Sequence, residues 1–164
     1  MDARERGERA RQNFLAGYNC AQAVVLAFDD VFEKNGLDMG TVTRLASPFG
    51  GGMGRMREVC GAVSGMLMVL GTVEGYDEPK AFQAKKELYA RVQELAGSYR
   101  AENGSIVCRE LLGLGAGPDD PTPEQRSETY YRKRPCAELC ACAARIVAEH
   151  LTREQQDQQH DFLG

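Results

Sequence analysis

Residues 58–70 have the sequence Glu-Val-Cys-Gly-Ala-Val-Ser-Gly-Met-Leu-Met-Val-Leu. Nearly every position carries an apolar or small side chain, which is typical of a helix that is buried on all sides. We therefore predict that a helix over 58–70 lies at the centre of the fold. A glycine inside a helix costs on the order of 0.5–1 kcal/mol relative to alanine, so Gly61 and Gly65 need a packing reason. Together with Ala62 they leave one side without bulk, where a second cysteine-bearing element is expected to approach Cys60.

Helical spacing of apolar residues and local capping signals predict the remaining elements. The predicted helices span 3–16, 19–35, 41–46, 80–101, 106–112, 124–134 and 136–151. No segment alternates with the period of two that a half-buried strand requires. The predicted fold class is therefore all-α, a single-domain bundle of about five to seven helices over residues 1–152, followed by a frayed polar tail at 153–164.

Length and composition exclude several classes of protein. The chain has 164 residues, enough for one domain, and 43% hydrophobic and 27% charged residues, as in ordinary globular proteins. A net charge of −4 provides no basic field for a nucleic-acid partner. The longest apolar stretch is too short and too interrupted to span a membrane. The N-terminal segment mixes both signs of charge without an apolar core, so we expect no secretory signal and a cytoplasmic location.

A reducing compartment directs attention to the cysteines, because structural disulfides are rare there and metal ligation or redox chemistry is more common. The six are Cys20, Cys60, Cys108, Cys136, Cys140 and Cys142. None of them form a Cys-x-x-Cys pair, so any site must be assembled in three dimensions.

Three of the cysteines are predicted to lie in the first turns of helices. Cys20 follows the capping residue Asn19, Cys108 comes three residues after Ser105, and Cys136 follows a proline that starts a helix. A helix N-terminus offers unpaired N–H groups and a partial positive charge, which stabilise a thiolate and lower its pKa. The alternative interpretation is that each is a small buried hydrophobic residue.

The last predicted helix holds three cysteines on different faces. Cys136 and Cys140 are four residues apart and point the same way, whereas Cys142 is turned by about 160° from Cys140. The three cannot serve one site. We predict that Cys140 and Cys142 are packing residues among neighbouring alanines.

Several segments together resemble a known family. They are Asn-Cys-Ala-Gln-Ala at 19–23, Phe-Gly-Gly-Gly-Met-Gly at 49–54, Cys-Gly-Ala-Val-Ser-Gly at 60–65, Cys-Arg-Glu-Leu-Leu-Gly at 108–113, and Cys136 at the start of the last helix. The chain resembles the C_GCAxxG_C_C family of proposed redox-active proteins over about residues 5 to 150. Matching the family pattern position by position assigns its four cysteines to Cys20, Cys60, Cys108 and Cys136, and leaves Cys140 and Cys142 as extra.

The resemblance implies a small helical protein whose activity depends on its cysteines. A similar domain occurs in an unusual multihaem cytochrome, and this resemblance implies that the cysteines can hold an iron–sulfur cluster. The chain has no Cys-x-x-Cys-His sequence, so we expect no covalent haem.

Other candidate groups have simpler interpretations. The glycine-rich loop at 50–54 lacks the Gly-Lys-Ser/Thr ending of a P-loop, and no strand precedes it. We interpret it as a tight loop beside the cysteine site, with Arg55 and Arg57 near enough to favour negative charge. Glu58 is the one carboxylate considered for proton transfer to a thiol, against the alternative of a solvated first-turn residue. His150, near a helix end, and His160, in the tail, are not expected to be ligands.

The leading hypothesis is a cytoplasmic redox protein, an oxidoreductase or an electron-transfer protein, in which Cys20, Cys60, Cys108 and Cys136 form one catalytic, cofactor-binding and metal-binding site. The four thiols would ligate an iron–sulfur cluster or would cycle as dithiol and disulfide pairs. The alternative is a non-redox binding or scaffold protein with a structural zinc on the same four cysteines, or with inert core cysteines. The redox partner is unknown, and small-residue helix surfaces suggest a homodimer.

Overall fold

Nine helices make up most of residues 1–161, which are the part of the chain that the computed structural model describes. They are Ala3–Leu15 (α1), Cys20–Leu26 (α2), Asp29–Lys34 (α3), Met39–Ala46 (α4), Gly61–Glu74 (α5), Phe82–Asn103 (α6), Cys108–Leu111 (α7), Glu128–Lys133 (α8) and Cys136–Asp161 (α9). The described residues form no strand, and Val59 and Val107 make a single isolated antiparallel bridge. The predicted all-α, single-domain class is confirmed.

The apolar helix α5 lies at the centre of the core, as predicted. It packs against α2 on one side and α9 on another, while α1 lies along α9. The face of α5 that carries Gly61 and Gly65 meets α2. An added Cβ on Gly65 would lie 2.8 Å from the carbonyl oxygen of Ala21 and 2.9 Å from Cβ of Val24. The two glycines therefore set how closely α2, which begins at Cys20, approaches α5.

Side-chain caps begin several helices. Asp2 and Asn19 each form a reciprocal capping box, and Asp38 and Ser127 accept hydrogen bonds from the first turns of α4 and α8. The expected cap at Asn19 is confirmed. Because such a cap satisfies backbone N–H groups that have no partner within the helix, it stabilises the start of α2 by about 1 kcal/mol.

The predicted helix over 19–35 is divided into α2 and α3. The amides of Ala27 and Phe28 bond three residues back instead of four, which tightens and ends α2. The buried guanidinium of Arg6 donates a hydrogen bond of 2.7 Å to the carbonyl of Ala27, lies over the ring of Phe28 and pairs with Asp30. A side chain distant in sequence thus satisfies the carbonyl at the break, which local periodicity does not reveal. This division helps to bring the helix count to nine, above the expected five to seven.

Three other predicted boundaries were wrong. The helix expected over 106–112 spans only Cys108–Leu111, because the Ser105 hydroxyl caps the amide of Val107 in a turn before it. The segment expected at 124–134 is helical only from Glu128 to Lys133. The last helix continues to Asp161 and does not end at residue 151, so the tail predicted to fray is helical where the structure describes it.

Candidate functional site

Four helices begin at cysteines that line one cavity. Cys20, Cys108 and Cys136 are the first residues of α2, α7 and α9, and Cys60 is the N-cap of α5. All four line a cavity of about 60 Å³. The sequence prediction had placed Cys60 inside a helix that began at residue 58, and this was wrong. The error hid the shared feature of the four residues, which is that each lies at the N-terminal end of its own helix.

The isolated bridge between Val59 and Val107 positions two of the four cysteines. The amide of Cys60 donates to the carbonyl of Ile106 at 2.8 Å, and the amide of Cys108 donates to the carbonyl of Glu58 at 2.6 Å. Each cysteine therefore follows one valine of the bridge and starts a helix immediately afterwards. This pairing joins segments that are nearly fifty residues apart in the chain, which no local pattern indicates.

Close backbone contacts bring the other elements to the cavity. A Cβ on Gly61 would lie 3.0 Å from Cβ of Cys20 and 2.7 Å from the carbonyl oxygen of Phe49. A Cβ on Gly52 would lie 2.6 Å from Cβ of Cys108. The interpretation of these glycines as residues that allow close approach to a cysteine site is confirmed.

The glycine-rich loop is a left-handed turn. Gly51, Gly52, Met53, Gly54 and Arg55 have φ angles between 60° and 67°. The amide of Gly54 donates to the carbonyl of Gly50, as in a helix of the opposite hand. Left-handed backbone costs a non-glycine residue roughly 1–2 kcal/mol. Strain of this kind concentrates at functional sites, and this turn lies directly against Cys108.

Arginines line the cavity beside the thiols. Arg57, Arg126 and Arg134 all reach its wall, together with apolar side chains such as Phe14 and Leu139. Arg57 is buried, and one of its guanidinium nitrogens lies 3.7 Å from Sγ of Cys108. The same guanidinium pairs with Asp119 at 2.7 Å. The cavity thus presents sulfur atoms to fixed positive charge, which favours thiolates or another anionic group.

The thiol pKa values do not follow the prediction made from helix N-termini. Burial raises the pKa of Cys60 to about 11, against the hydrogen bond with Tyr99 and the amides of Ala62 and Val63. Burial also raises the pKa of Cys108, although Arg57 opposes it. The pKa values of both thiols therefore lie above the ordinary range, because the loss of hydration on burial outweighs the stabilisation of the thiolates by the helix N-termini.

The thiol of Cys20 interacts with two other thiols, those of Cys136 and Cys140. A hydrogen bond with Cys20, followed by burial, raises the pKa of Cys136. The hydrogen bond with Cys136 lowers the pKa of Cys20. The hydrogen bond with Cys140 and the burial of the Cys20 thiol raise it by more, so the pKa of Cys20 lies well above its ordinary value. Sγ of Cys140 also lies 3.6 Å from the carbonyl oxygen of Cys20. Cys140 is fully buried, as the packing prediction expected, but its thiol reaches Cys20.

Cys142 lies away from the cavity. It is partly exposed, and its thiol lies 3.3 Å from the amide nitrogen of Asn103 and 3.4 Å from the carboxylate of Glu102. All six cysteines are free thiols. The predicted division of the last helix into different faces is thus observed, with Cys136 and Cys140 on one face and Cys142 on another.

Other sequence candidates take structural positions. Glu58 is exposed and pairs with Arg109 at 3.1 Å outside the cavity, which matches the solvated alternative. Arg55 does not line the cysteine cavity and donates to the carbonyl of Asp120 at 2.6 Å. His150 does not lie near a helix end as expected, because it is buried within α9 and hydrogen-bonded to Glu74. His160 is exposed near the end of the same helix.

The four cavity cysteines supply the type of ligand that both a zinc site and an iron–sulfur cluster use. Across residues 1–161, no group of three or more cysteine, histidine or acidic side chains is arranged to hold one metal ion. A tetrahedral zinc site with Zn–S bonds of about 2.3 Å requires four thiolates drawn together around one point. An iron–sulfur cluster distributes four cysteines over more than one iron. The four cavity thiols therefore match either group in ligand type, and the arginines of the wall suit a centre of negative charge.

Sequence comparison shows the family to which the chain belongs. A family model described as "Putative redox-active protein (C_GCAxxG_C_C)" matches residues 18–150. The chain belongs to the C_GCAxxG_C_C family. Neither a curated protein nor a solved structure matches it. Within the described residues, no helix combines the length and the apolar character needed to cross a membrane.

Proposed function

We propose that the protein is a redox protein in which Cys20, Cys60, Cys108 and Cys136 ligate one iron–sulfur cluster. The observation that carries this proposal is that four separate helices begin at these cysteines and that all four line the same cavity. Such a cluster supplies one-electron transfer when bound, at a potential that depends on burial and on hydrogen bonds to sulfur.

The helix ends and the arginines have distinct roles in this proposal. Backbone N–H groups in the first turn of α5 point towards the sulfur of Cys60, and the guanidinium of Arg57 lies against the sulfur of Cys108. These donors stabilise negative charge on ligating sulfur. Because the pKa values of the thiols are raised, ligation releases protons, and apparent affinity for metal rises with pH.

The apolar part of the wall limits access of water. Phe14, Leu111, Leu112 and Leu139 line the cavity. Burial of the sulfur atoms protects a cluster from solvent and shifts its potential.

A second candidate is dithiol and disulfide exchange, favoured by the contact between Cys20 and Cys136. In this chemistry the two thiols reduce a disulfide of a partner. One S–S bond forms between Cys20 and Cys136, the partner's S–S bond breaks, and two electrons and two protons pass to the partner's sulfurs.

Anaerobic purification followed by visible absorption and analysis of iron, zinc and acid-labile sulfide tests the proposal. The samples are the wild type, Cys60→Ser, and Cys142→Ser as the matched control, because Cys142 lies outside the cavity. We expect brown protein with iron and sulfide in the wild type and the control, and their loss in Cys60→Ser.

Other results would overturn the cluster. Protein without iron and sulfide would exclude it under these conditions, and zinc alone would favour a structural site. For metal-free protein, alkylation of Cys20 and Cys136 across a redox series tests the second candidate. Joint protection of both thiols under oxidising conditions would support it, whereas independent labelling would favour inert cysteines.

A cytoplasmic location and an unidentified redox partner remain part of the proposal. Homodimer formation was inferred from small-residue helix surfaces, but the small face of α5 is covered by α2 of the same chain. That face therefore gives no support to a dimer, and measurement of the mass in solution decides the assembly.

A further inference from the structure

A second cavity adjoins the cysteine cavity. It has a volume of about 250 Å³ and shares with the first cavity Asn19, Gly51, Arg57, Arg126 and Tyr130. We call it the antechamber. Its outer wall comes from the left-handed turn and from the prolines Pro121 and Pro123, and it contains none of the six cysteines. A molecule in the antechamber would therefore lie beside the thiols without displacing them.

The antechamber is rich in positive charge. Arg55, Arg57 and Arg126 line it, with Glu124 as the one carboxylate among its lining residues. Glu124 pairs with Arg134 at 2.5 Å and lies 3.9 Å from Arg55. Its negative charge is therefore largely engaged by two arginines, of which Arg55 lines the antechamber and Arg134 lines the cysteine cavity.

The arginines differ in how their charge is balanced. Arg57 is paired with Asp119 at 2.7 Å, and Arg55 lies 3.8 Å from the same carboxylate. Arg126 instead donates to the carbonyl oxygens of Phe14 at 3.3 Å and Tyr18 at 3.2 Å. In the described structure it forms no ion pair, so its full charge faces the two cavities.

Aromatic rings hold Arg126 in this position. The guanidinium carbon lies 4.3 Å from the ring centroid of Phe14 and 4.9 Å from that of Tyr130. Such cation–π contacts keep a charged group in place without neutralising it. A rigid, partly buried guanidinium with spare donors is the preferred protein partner of an oxyanion.

We propose that the antechamber binds a small oxyanion, held by Arg126 at the wall that it shares with the cysteine cavity. Its volume of about 250 Å³ has room for several water molecules. This size suits a short carboxylate or a sulfur or phosphorus oxyanion rather than a nucleotide. The site depends on Arg126 and not on what the cysteines hold, so it goes beyond the proposed function.

Calorimetric titration of the anaerobically purified protein with sodium sulfate, at constant ionic strength, tests the site. Dimethyl sulfone, a neutral molecule of similar shape, is the ligand control. We expect sulfate to bind with millimolar affinity and dimethyl sulfone not to bind. Loss of a charge-assisted hydrogen bond predicts on the order of tenfold or greater weakening in Arg126→Gln, with partial retention in Arg126→Lys.

Two further variants keep the test decisive. Arg132→Gln is the matched control, because Arg132 is exposed and pairs only with Glu128 along α8. It should bind sulfate like the wild type. Pro123→Trp fills the mouth of the antechamber without changing a charge and should also abolish binding. It serves as the readout if Arg126→Gln does not fold, which circular dichroism shows.

The possible results separate this site from the cluster. Absence of sulfate binding in the wild type, or equal binding by folded Arg126→Gln or Pro123→Trp, would overturn the antechamber site. Iron and sulfide are measured on the same samples. Wild-type protein that lacks both but binds sulfate would leave the antechamber standing and overturn the cluster, and loaded protein without sulfate binding would do the reverse.

Discussion

Helices α5 and α9 each carry one polar site at the N-terminal end and a second one further along the helix, and the two sites differ in kind. Each helix has a cavity cysteine at its start, and fourteen residues further on α5 ends at Glu74 while α9 presents His150. At 1.5 Å per residue this separation is about 21 Å. The two helices therefore run in the same direction, with the cysteine cavity at one end and the histidine pair at the other.

The histidine pair is completed within the chain, whereas the cysteine cavity is not. His150 is buried and bonded to Glu74, and Arg91 contacts Glu154 at 3.0 Å and Glu74 at 3.8 Å. The cysteine cavity combines open space with a guanidinium that has no carboxylate partner in the described structure. A buried polar group has a structural role where side chains of the same chain satisfy it and fill the space around it. Where open space remains beside an unpaired charged group, the arrangement indicates a binding site for a ligand.

The largest effect is expected from His150→Ala. The substitution removes a buried ring and leaves Glu74 without its partner, so we expect a loss of about 3 kcal/mol in the free energy of unfolding. Urea denaturation measures it. Cofactor content per folded molecule should not change, because the cavity lies at the other end. His160→Ala is the control and should match the wild type, and a comparable loss there would contradict the assignment.

Two glycines of α5 test how the cysteine end is built. Gly65→Ala forces a Cβ to 2.8 Å from the carbonyl oxygen of Ala21, and we expect a loss of about 2 kcal/mol in stability. Gly71→Ala lies on the same helix with no atom within 4 Å of the new Cβ. It should gain about 0.5–1 kcal/mol from helix propensity. Thermal unfolding of both variants tests this prediction. Stability changes of the same sign in the two variants would contradict the close approach of α2 to α5.

A smaller and pH-dependent effect is expected at the Arg6 ion pair. The hydrogen bond with Arg6 lowers the pKa of Asp30 below its ordinary value. The ionised carboxylate therefore stabilises the fold above the unfolded pKa of about 3.9, and this contribution is lost as pH falls through the folded pKa. Because Asp30 is largely exposed, Asp30→Asn should cost only about 1 kcal/mol at pH 7.

Denaturation of Asp30→Asn and wild type at several pH values checks this prediction. The difference between them should shrink as pH falls below the unfolded pKa of the carboxyl group. Glu128→Gln, at an exposed i,i+4 pair, is the control and should differ little at any pH. A stability difference between wild type and Asp30→Asn that grows as the pH falls would show that the carboxylate does not stabilise the fold through Arg6.

The smallest effect is expected from Cys142→Ser. Its thiol is partly exposed and already has polar neighbours in Asn103 and Glu102, so a hydroxyl replaces it with a change of about 0.5 kcal/mol or less. Urea denaturation and cofactor analysis together test this. Loss of the cofactor in this variant would place Cys142 in the site and contradict the separation of the two faces of α9.

The sequence supported the class of fold because its dominant signals are local. Apolar spacing and caps such as Asn19 depend on neighbours in the chain, and the helices that they predicted are present. The prediction failed where the local structure depends on a side chain that is distant in the sequence. Arg6 satisfies the carbonyl at the end of α2, and Glu74 pairs with His150, which a local argument had assigned to a helix end.

The four cysteines that line the cavity were predictable as a set, but their geometry was not. The family resemblance selected the four cysteines that line the cavity, and the glycines of 60–65 indicated a close approach. Placement of Cys60 at a helix start depends on pairing between Val59 and Val107, which are far apart in sequence. The raised thiol pKa values follow from burial, which has no local sequence signal. The glycines of 50–54 predicted a tight loop, but not its left-handed geometry or the antechamber that it lines.

The cavity also has a consequence for synthesis on the ribosome. Its cysteines extend from Cys20 to Cys136, so the site cannot close until most of the chain has been made. At 5–20 residues per second, Cys136 is added roughly 6–23 s after Cys20. During that interval the early thiols have no complete site to enter and remain exposed to oxidants and stray metal ions. The cavity is therefore completed late in the synthesis of the chain.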